Sequence, residues 1–403
     1  MGKRTGFGAL IAGLMIVATQ AEAETTIKIG VLNDKTGIYA DLAGEGSVIA
    51  ARMAAEDFGG KAKGIHVEIL SADHQNKPDI GVNIVREWID RQDVDVISDV
   101  PGSALALAVS DITREKNRIH LNSGSATADL TGPKCSPNTV HWTYDTWALA
   151  HGTGKAMVEQ GGDTWFFLTA DYAFGHAMER DTAAVVEAAG GKVLGSVRHP
   201  FPNSDFSSFL LQAQSSGAKV IGLANAGGDM INAIKQASEF GIVQRGQSIA
   251  SLVAFISDVH ALGLPVAQGL VLTGAFYWDQ NEETRRWSER FAKLHGGRMP
   301  TQVQAGVYSS IMHYLKAVEA AGTKDSGLVM AKMREMPIDD PLFGKGHIRV
   351  DGRAVHDMYL FRVKKPEQSK GEWDVYEILA TIPGDQAFRP LKEGGCPLVN
   401  SAG

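Results

Sequence analysis

Residues 27–60 read IKIGVLNDKTGIYADLAGEGSVIAARMAAEDFGG, and the fold is decided by how this stretch is read. Ile27 to Leu32 is dominated by apolar and small residues suited to a strand buried in a parallel sheet. Asn33, Asp34, Gly37, Gly44 and Gly46 then break the strand. From Ser47 onward Val48, Ala51 and Ala55 fall on one helical face. Strand, long polar loop and helix make a βα unit whose loop opens at the carboxyl end of the strand, the edge where open α/β sheets hold ligands. A dinucleotide site does not fit. Gly44-Glu45-Gly46 precedes the helix, but Ile49 stands where the fingerprint needs its third glycine, and the loop is too long for a tight phosphate turn.

The same unit recurs down the chain. Ile65 to Leu70 is a second strand, followed by a polar loop and a helix with Asp79 as its expected cap and Val82, Val85 and Ile89 on its apolar face. Val94 to Ile97 opens into Ser98-Asp99-Val100-Pro101-Gly102-Ser103, and Arg118 to Leu121 into Asn122-Ser123-Gly124-Ser125. Four βα units in a row spell a doubly wound parallel half. A second series follows, with strands at 164–168, 192–197 and 219–223, closed by 252–255 and 270–273. Helices are expected at 281–295, 303–321 and 326–336, and strands between Phe343 and Phe361. The fold class is therefore α/β with two parallel-sheet lobes.

Ahead of all this, Lys3 and Arg4, the apolar run Phe7 to Ala18, and Ala21-Glu22-Ala23 have the three-part layout of a secretory signal peptide spanning residues 1–23. The apolar run is short for a membrane span, so the mature protein is expected to be exported, with no stable membrane insertion after cleavage near Ala23. The formal charge of -7, with no basic cluster, argues against nucleic acid. The two cysteines, Cys135 and Cys396, each sit in a Pro/Gly-rich turn, and in an oxidising compartment a disulfide between them is favoured over two free thiols. Neither has a His or Cys at ligand spacing, so no metal and no cofactor is expected. No Gly-x-Ser-x-Gly elbow or His-Glu-x-x-His appears, which disfavours an enzyme.

The motifs Ile29-Gly30-Val31-Leu32, Leu121-Asn122-Ser123-Gly124-Ser125-Ala126-Thr127, Asp171-Tyr172-Ala173-Phe174-Gly175, Gln236-Ala237-Ser238-Glu239-Phe240-Gly241 and Val271 to Trp278 together carry a resemblance. In this order, from about Thr26 to Phe388, the chain resembles the type I periplasmic substrate-binding proteins of ABC importers, in their leucine-isoleucine-valine-binding-protein-like branch. The resemblance implies two lobes joined by three crossings near residues 142, 272 and 340, with a ligand held between them. Lobe one would comprise 24–141 plus 273–339, lobe two 142–272 plus 340–390, and 391–403 would form a tail. It also implies a periplasmic location and partnership with the permease subunits of an ABC importer.

Candidate ligand-binding residues follow from the strand ends and from the resemblance. Ser103, Ser125 and Thr127 stand near helix starts, where unpaired amides and a partial positive charge receive anions. Ser and Thr are also the commonest helix caps, and that role stays open. In the family, positions matching Ser125, Ala126 and Thr127 and the Gly102-Ser103-Ala104 loop hold the ligand's carboxylate. Aromatic residues gather at the same edges: Tyr39, Trp142, Tyr144, Trp147, Tyr172, Phe174, Phe276, Tyr277 and Trp278, of which core packing claims about half, Trp142 and Phe276 first. The family places an aromatic against the ligand at positions matching Phe174 and Tyr39. Phe255 stands where the amino-acid binders would present a polar partner for an α-ammonium, and Asp229 and Asp258 are the only acids nearby. Asn225 ends another strand of lobe two. These residues point to a small organic acid, with an aromatic carboxylate suiting the rings. An amino acid or amide, or a periplasmic sensor signalling to a membrane partner, is the alternative.

Overall fold

The computed structural model describes Gly2, residues 25–60 and residues 64–400. The expected signal peptide, apart from Gly2, and the last three residues of the expected tail lie outside the described residues. Five strands form the first sheet: β1 (Thr25–Asn33), β2 (Ile65–Asp73), β3 (Val96–Asp99), β4 (Ile119–Asn122) and β5 (Thr139–His141), parallel throughout in the order β2-β1-β3-β4-β5. The intervening helices are α1 (Gly44–Phe58), α2 (Pro78–Gln92) and α3 (Ser103–Glu115). The reversal of strand order at β1 and β3 brings the loops after both strands to one switch point, where a crevice forms. Helix α2 starts two residues earlier than expected. Lys77 is its N-cap and Pro78 its first residue, so Asp79 sits in the first turn, where a carboxylate suits the helix dipole, and does not cap.

The second sheet is β6 (Thr164–Ala170), β7 (Lys192–His199), β8 (Val220–Ala224) and β9 (Ser248–Ser251), also parallel, in the order β7-β6-β8-β9. Its helices are α4 (Ala173–Ala188), α5 (Ser207–Ser215), α6 (Gly228–Glu239) and the short α7 (Ile256–Leu262). The expected strand at 252–255 lies one segment too late. The strand is Ser248–Ser251, and Leu252 to Phe255 is the loop beyond it, buried although it has no ladder. The expected closing strand at 270–273 exists as β10 (Val271–Gly274) but belongs elsewhere.

After α8 (Glu282–Leu294), α9 (Gln302–Ala321) and α10 (Ser326–Glu335) come β11 (Ile338–Asp340), β12 (Gly344–Ile348), β13 (Ala354–Val355), β14 (Met358–Val363) and β15 (Tyr376–Ile382). β10 pairs antiparallel with β14, and β14 with β15. Leu272, Phe361 and Tyr376 from this ribbon share a core with Leu168 and Leu223 of the second sheet and Met230 of α6. The central helix α9 is buried along most of its length and packs on α1, where the amide of Gln304 lies so close to Gly46 that a side chain there would collide. The small ribbon β11–β13 meets the first sheet through a bridge between His141 and Arg353. A disulfide joins Cys135 to Cys396 with a Cα–Cα distance of 5.6 Å, closing the C-terminal segment onto the loop before β5.

Candidate functional site

Two turns of the first sheet build one wall of a cleft. At the end of β3, Asp99 and Val100 both take left-handed backbone (φ 78° and 56°), which swings Pro101 and Gly102 outward before α3 begins at Ser103. After β4 the Asn122 side chain donates to the carbonyl of Ser125 (2.9 Å), and His141 Nε2 lies 2.8 Å from the same oxygen. That carbonyl is thereby turned inward to the protein. Ser125 Oγ donates to Ser103 Oγ (3.3 Å), which also accepts the backbone amide of Thr127 (3.3 Å). The Tyr144 hydroxyl donates to the carbonyl of Gly124 (3.0 Å). Serine hydroxyls and the open first-turn amides of α3 thus collect at one end of the cleft, a setting that favours negative charge.

The opposite wall comes from the strand ends of the second sheet: Tyr172 and Phe174 at the start of α4, Ala226 after β8, and Val253 and Phe255 after β9. Tyr39 and Leu42, from the loop after β1, close the rim. The space left free between the walls is about 20 Å³, room for a single water, so the two walls stand nearly in contact. Among the described residues lining it none is charged. Tyr172 stacks on Phe201 with ring centroids 4.1 Å apart, Phe174 lies 5.9 Å from Tyr172, and Tyr144 lies 5.9 Å from Phe255. The hydroxyls of Tyr39 and Tyr172 meet across the mouth. Burial pushes both phenols up, so both remain protonated at neutral pH.

Of the residues named from the sequence, Tyr39, Ser103, Ser125, Ala126, Tyr172, Phe174 and Phe255 are brought together around this cleft. Three are placed elsewhere. Thr127 turns its hydroxyl to accept the amide of Asp129, a helix-capping role, and reaches toward the cleft only through its own amide. Asn225 lies behind the wall with its Nδ2 3.2 Å from His199 Nε2. Tyr277 is packed against Phe361 and Tyr376, its hydroxyl toward the carbonyl of Trp373, in the core beneath the antiparallel ribbon. Trp142 donates to Ser309 Oγ and Phe276 packs on Trp287, both as core. Trp147 stacks on His151 in a separate surface groove, and Trp278 donates to the carbonyl of Trp373. Missing from the sequence reading are Leu42, Gly124, Ala226, Val253 and the ring behind Tyr172, Phe201.

The two nearby acids are occupied elsewhere. Asp258 accepts the Phe255 amide (2.9 Å) at the start of α7, and Asp229 accepts the Asn203 amide (3.0 Å). Burial pushes each up to about 7. Neither lines the cleft. The described residues contain no cluster of three His, Cys, Asp or Glu side chains able to hold a metal.

Residues 26–372 match the periplasmic binding protein family, and the chain belongs to it. Within that family it stands in the branched-chain amino acid ABC branch. A periplasmic binding protein from Burkholderia mallei is 53% identical, with a TM-score of 0.91 over 94% of this chain and 100% of that one. A branched-chain amino acid ABC transporter periplasmic ligand-binding protein from Burkholderia xenovorans LB400 is 41% identical, with a TM-score of 0.83 over 92% and 99%. A solute-binding protein of an ABC transporter from R. palustris, in complex with benzoate, is 20% identical, with a TM-score of 0.80 over 93% and 100%. The protein is a solute-binding protein and not an enzyme. No described helix is long and apolar enough to cross a membrane.

Proposed function

We propose that the protein captures a small organic acid lacking an amine, best an aromatic carboxylate, in the periplasm and delivers it to the permease of an ABC importer. The observation that carries this reading is the chemistry of the cleft: no charge, aromatic walls, and serine hydroxyls with helix amides at one end. A carboxylate is satisfied there by charge-assisted bonds from the Ser103 hydroxyl and the Ala126 amide, with Ser125 and the Thr127 amide holding Ser103 in place. A flat ring would part the walls and lie between Tyr172 and Phe174 on one side and Tyr144 and Phe255 on the other. Tyr39 and Tyr172 then seal the mouth. Asn225 supports the second wall from behind, and Tyr277 takes no part. The likeness to the benzoate-bound R. palustris protein supports this only as a fold that accommodates such a ligand.

Capture works by closure of the two lobes about their crossings, with a bound ligand bridging both walls and drawing the open–closed equilibrium toward closed. We assign lobe one to 24–141 and 273–339 and lobe two to 142–272 and 340–390. The segment 340–355 is drawn toward lobe one by the bridge of Arg353 to His141, which favours a third crossing just beyond it, while the Arg353 guanidinium reaches Asp145 just past the first crossing. Export with cleavage after Ala23 completes the proposal. An α-amino acid is the second reading, favoured by the description of the B. xenovorans protein, but an ammonium would find no carboxylate in the lining.

A thermal-shift panel on residues 24–403 tests the reading, using benzoate, 4-hydroxybenzoate, leucine, short aliphatic acids and their amides. A ligand at about a hundredfold its Kd adds roughly 2.7 kcal/mol. Shifts with the aromatic acids and none with leucine are expected. A shift with leucine and silence from the aromatic acids would overturn the ligand class while keeping the solute-binding role.

A further inference from the structure

Behind the floor of the cleft lies a carboxyl that nothing neutralises. Asp99, the last residue of β3, is fully buried, forms no ion pair among the described residues, and is offered hydrogen bonds only by the side chains of Ser47 and Asn33. It lies directly under the site. A side-chain carbon added to Gly124, which lines the cleft, would come within 2.8 Å of Asp99 Oδ1, and the Gly124 amide donates to the Asp99 carbonyl (3.1 Å).

Its polar neighbours are short of protons. Asn33, at the end of β1, spends one Nδ2 proton on the carbonyl of Gly44 (2.5 Å), leaving one that faces Asp99 and a buried Oδ1 without a donor, and Ser47 Oγ on α1 faces the same carboxyl. If Asp99 were ionised, one serine proton and one amide proton would have to serve three oxygens; a proton on Asp99 supplies the third donor. The titratable groups that face it bring no cation. Asp34, from the loop after β1, spends its carboxylate on the amides of Gly37 and Tyr39, and Tyr144, from the segment after β5, donates to Gly124. The end of β4 offers the uncharged Asn122 and Ser123, and no charged group of α3 or α9 bears on the carboxyl. Burial, opposed by Ser47 and Asn33, pushes it up to about 7.

We propose that Asp99 makes capture of an organic anion proton-linked: it holds a proton whenever the cleft holds a carboxylate. The inference rests on the anion-binding reading of the cleft. An anion above the Gly124 floor and an ionised Asp99 beneath it would repel across a short, buried gap. The carboxylate therefore selects the protonated protein, and above pH 7 its binding takes up a proton. A neutral amide in the same cleft has no such requirement, so Asp99 also sets a pH-dependent preference between acid and amide.

Calorimetric titration with benzoate, at pH 6 and pH 8.5 in buffers of differing ionisation enthalpy, tests this. Proton uptake near zero at pH 6 and approaching one at pH 8.5 is expected, with affinity falling toward roughly tenfold per pH unit above 7. Asp99→Asn, which suits the left-handed backbone at this position, should keep the pH 6 affinity and lose the slope. A merely structural role would shift affinity equally at both pH values. In the ligand-free protein, the same variant should raise Tm at pH 8 and leave it unchanged at pH 4. Benzoate binding without proton uptake would overturn this inference and leave the cleft reading standing. No benzoate binding at any pH would overturn both.

Discussion

Ser103 Oγ is the point at which two loops of the first sheet are tied together, accepting from both Ser125 Oγ and the Thr127 amide. Ser103→Ala removes a hydroxyl from the anion end and leaves a buried amide unpartnered, a cost of about 1–2 kcal/mol. Carboxylate affinity should fall roughly 5- to 30-fold in titration calorimetry, with cooperative unfolding retained. Phe174→Ala removes a wall of the cleft and should weaken an aromatic acid far more than an aliphatic one, a difference read from the same titrations. The serines were legible in the sequence because they follow strand ends beside glycine, where helix amides open. Tyr277 was not separable from the cleft rings, because an aromatic at a crossing packs equally well in core. Phe201 escaped notice for a different reason. It follows the outer strand β7, and only the parallel register of β7 on β6, with Ala170 opposite His199, carries it behind Tyr172.

At the scale of elements, the loop between β8 and α6 meets the loop between β1 and α1. Gly227 has φ 57°, and a side-chain carbon there would lie 2.6 Å from the carbonyl of Ile38 and 3.1 Å from the Tyr39 ring. Only glycine permits both the left-handed turn and this approach of the two walls. Gly227→Ala costs roughly 1 kcal/mol or more in backbone strain, a small loss of Tm. Its larger effect falls on closure: ligand affinity should drop at least tenfold, and small-angle scattering should show no compaction on adding ligand. A normal affinity with normal compaction would mean that the two loops do not meet in the ligand-bound protein. The alternation of strand and helix that builds these loops was plain in the sequence, because buried parallel strands read as short apolar runs. The same rule misled at residues 252–255. Leu252, Val253, Ala254 and Phe255 are apolar because they line or underlie the cleft, and the run resembles a strand without being one.

Across the whole molecule, the two parallel lobes were legible from the chain, whereas the destination of β10, β14 and β15 was not, since antiparallel returns leave no periodic mark distinguishing one sheet from another. The Cys135–Cys396 bridge closes a loop with a sequence separation of 261. The chain-entropy model gives an upper value of about 5–6 kcal/mol for such a loop. Cys396→Ser should therefore lower Tm, and dithiothreitol should lower the wild type to meet it. Acid stability is set by a second global feature. Burial holds His120 down to about 3 and His74 and His356 down to about 4, with His141 well below its ordinary value. Each is neutral in the folded protein and protonated in the unfolded chain below pH 6.5, so the stability they support is complete above 6.5 and is lost as pH falls toward their folded values. Asp99, Asp229 and Asp258, pushed up to about 7, act in the opposite sense, withdrawing stability as pH rises from 4 to 7. Burial also lowers His151, His199, His295 and His313 and raises Asp34 and Asp340, and the excess of lowered histidines over raised carboxyls leaves a net acid weakness. Urea unfolding of the ligand-free protein should show stability falling as pH drops from 6.5 to 4. Both ring nitrogens of His120 are buried without partners, so His120→Leu should remove about 1.4 kcal/mol per pH unit from that slope. An unchanged slope would mean that His120 gains a proton without unfolding the protein.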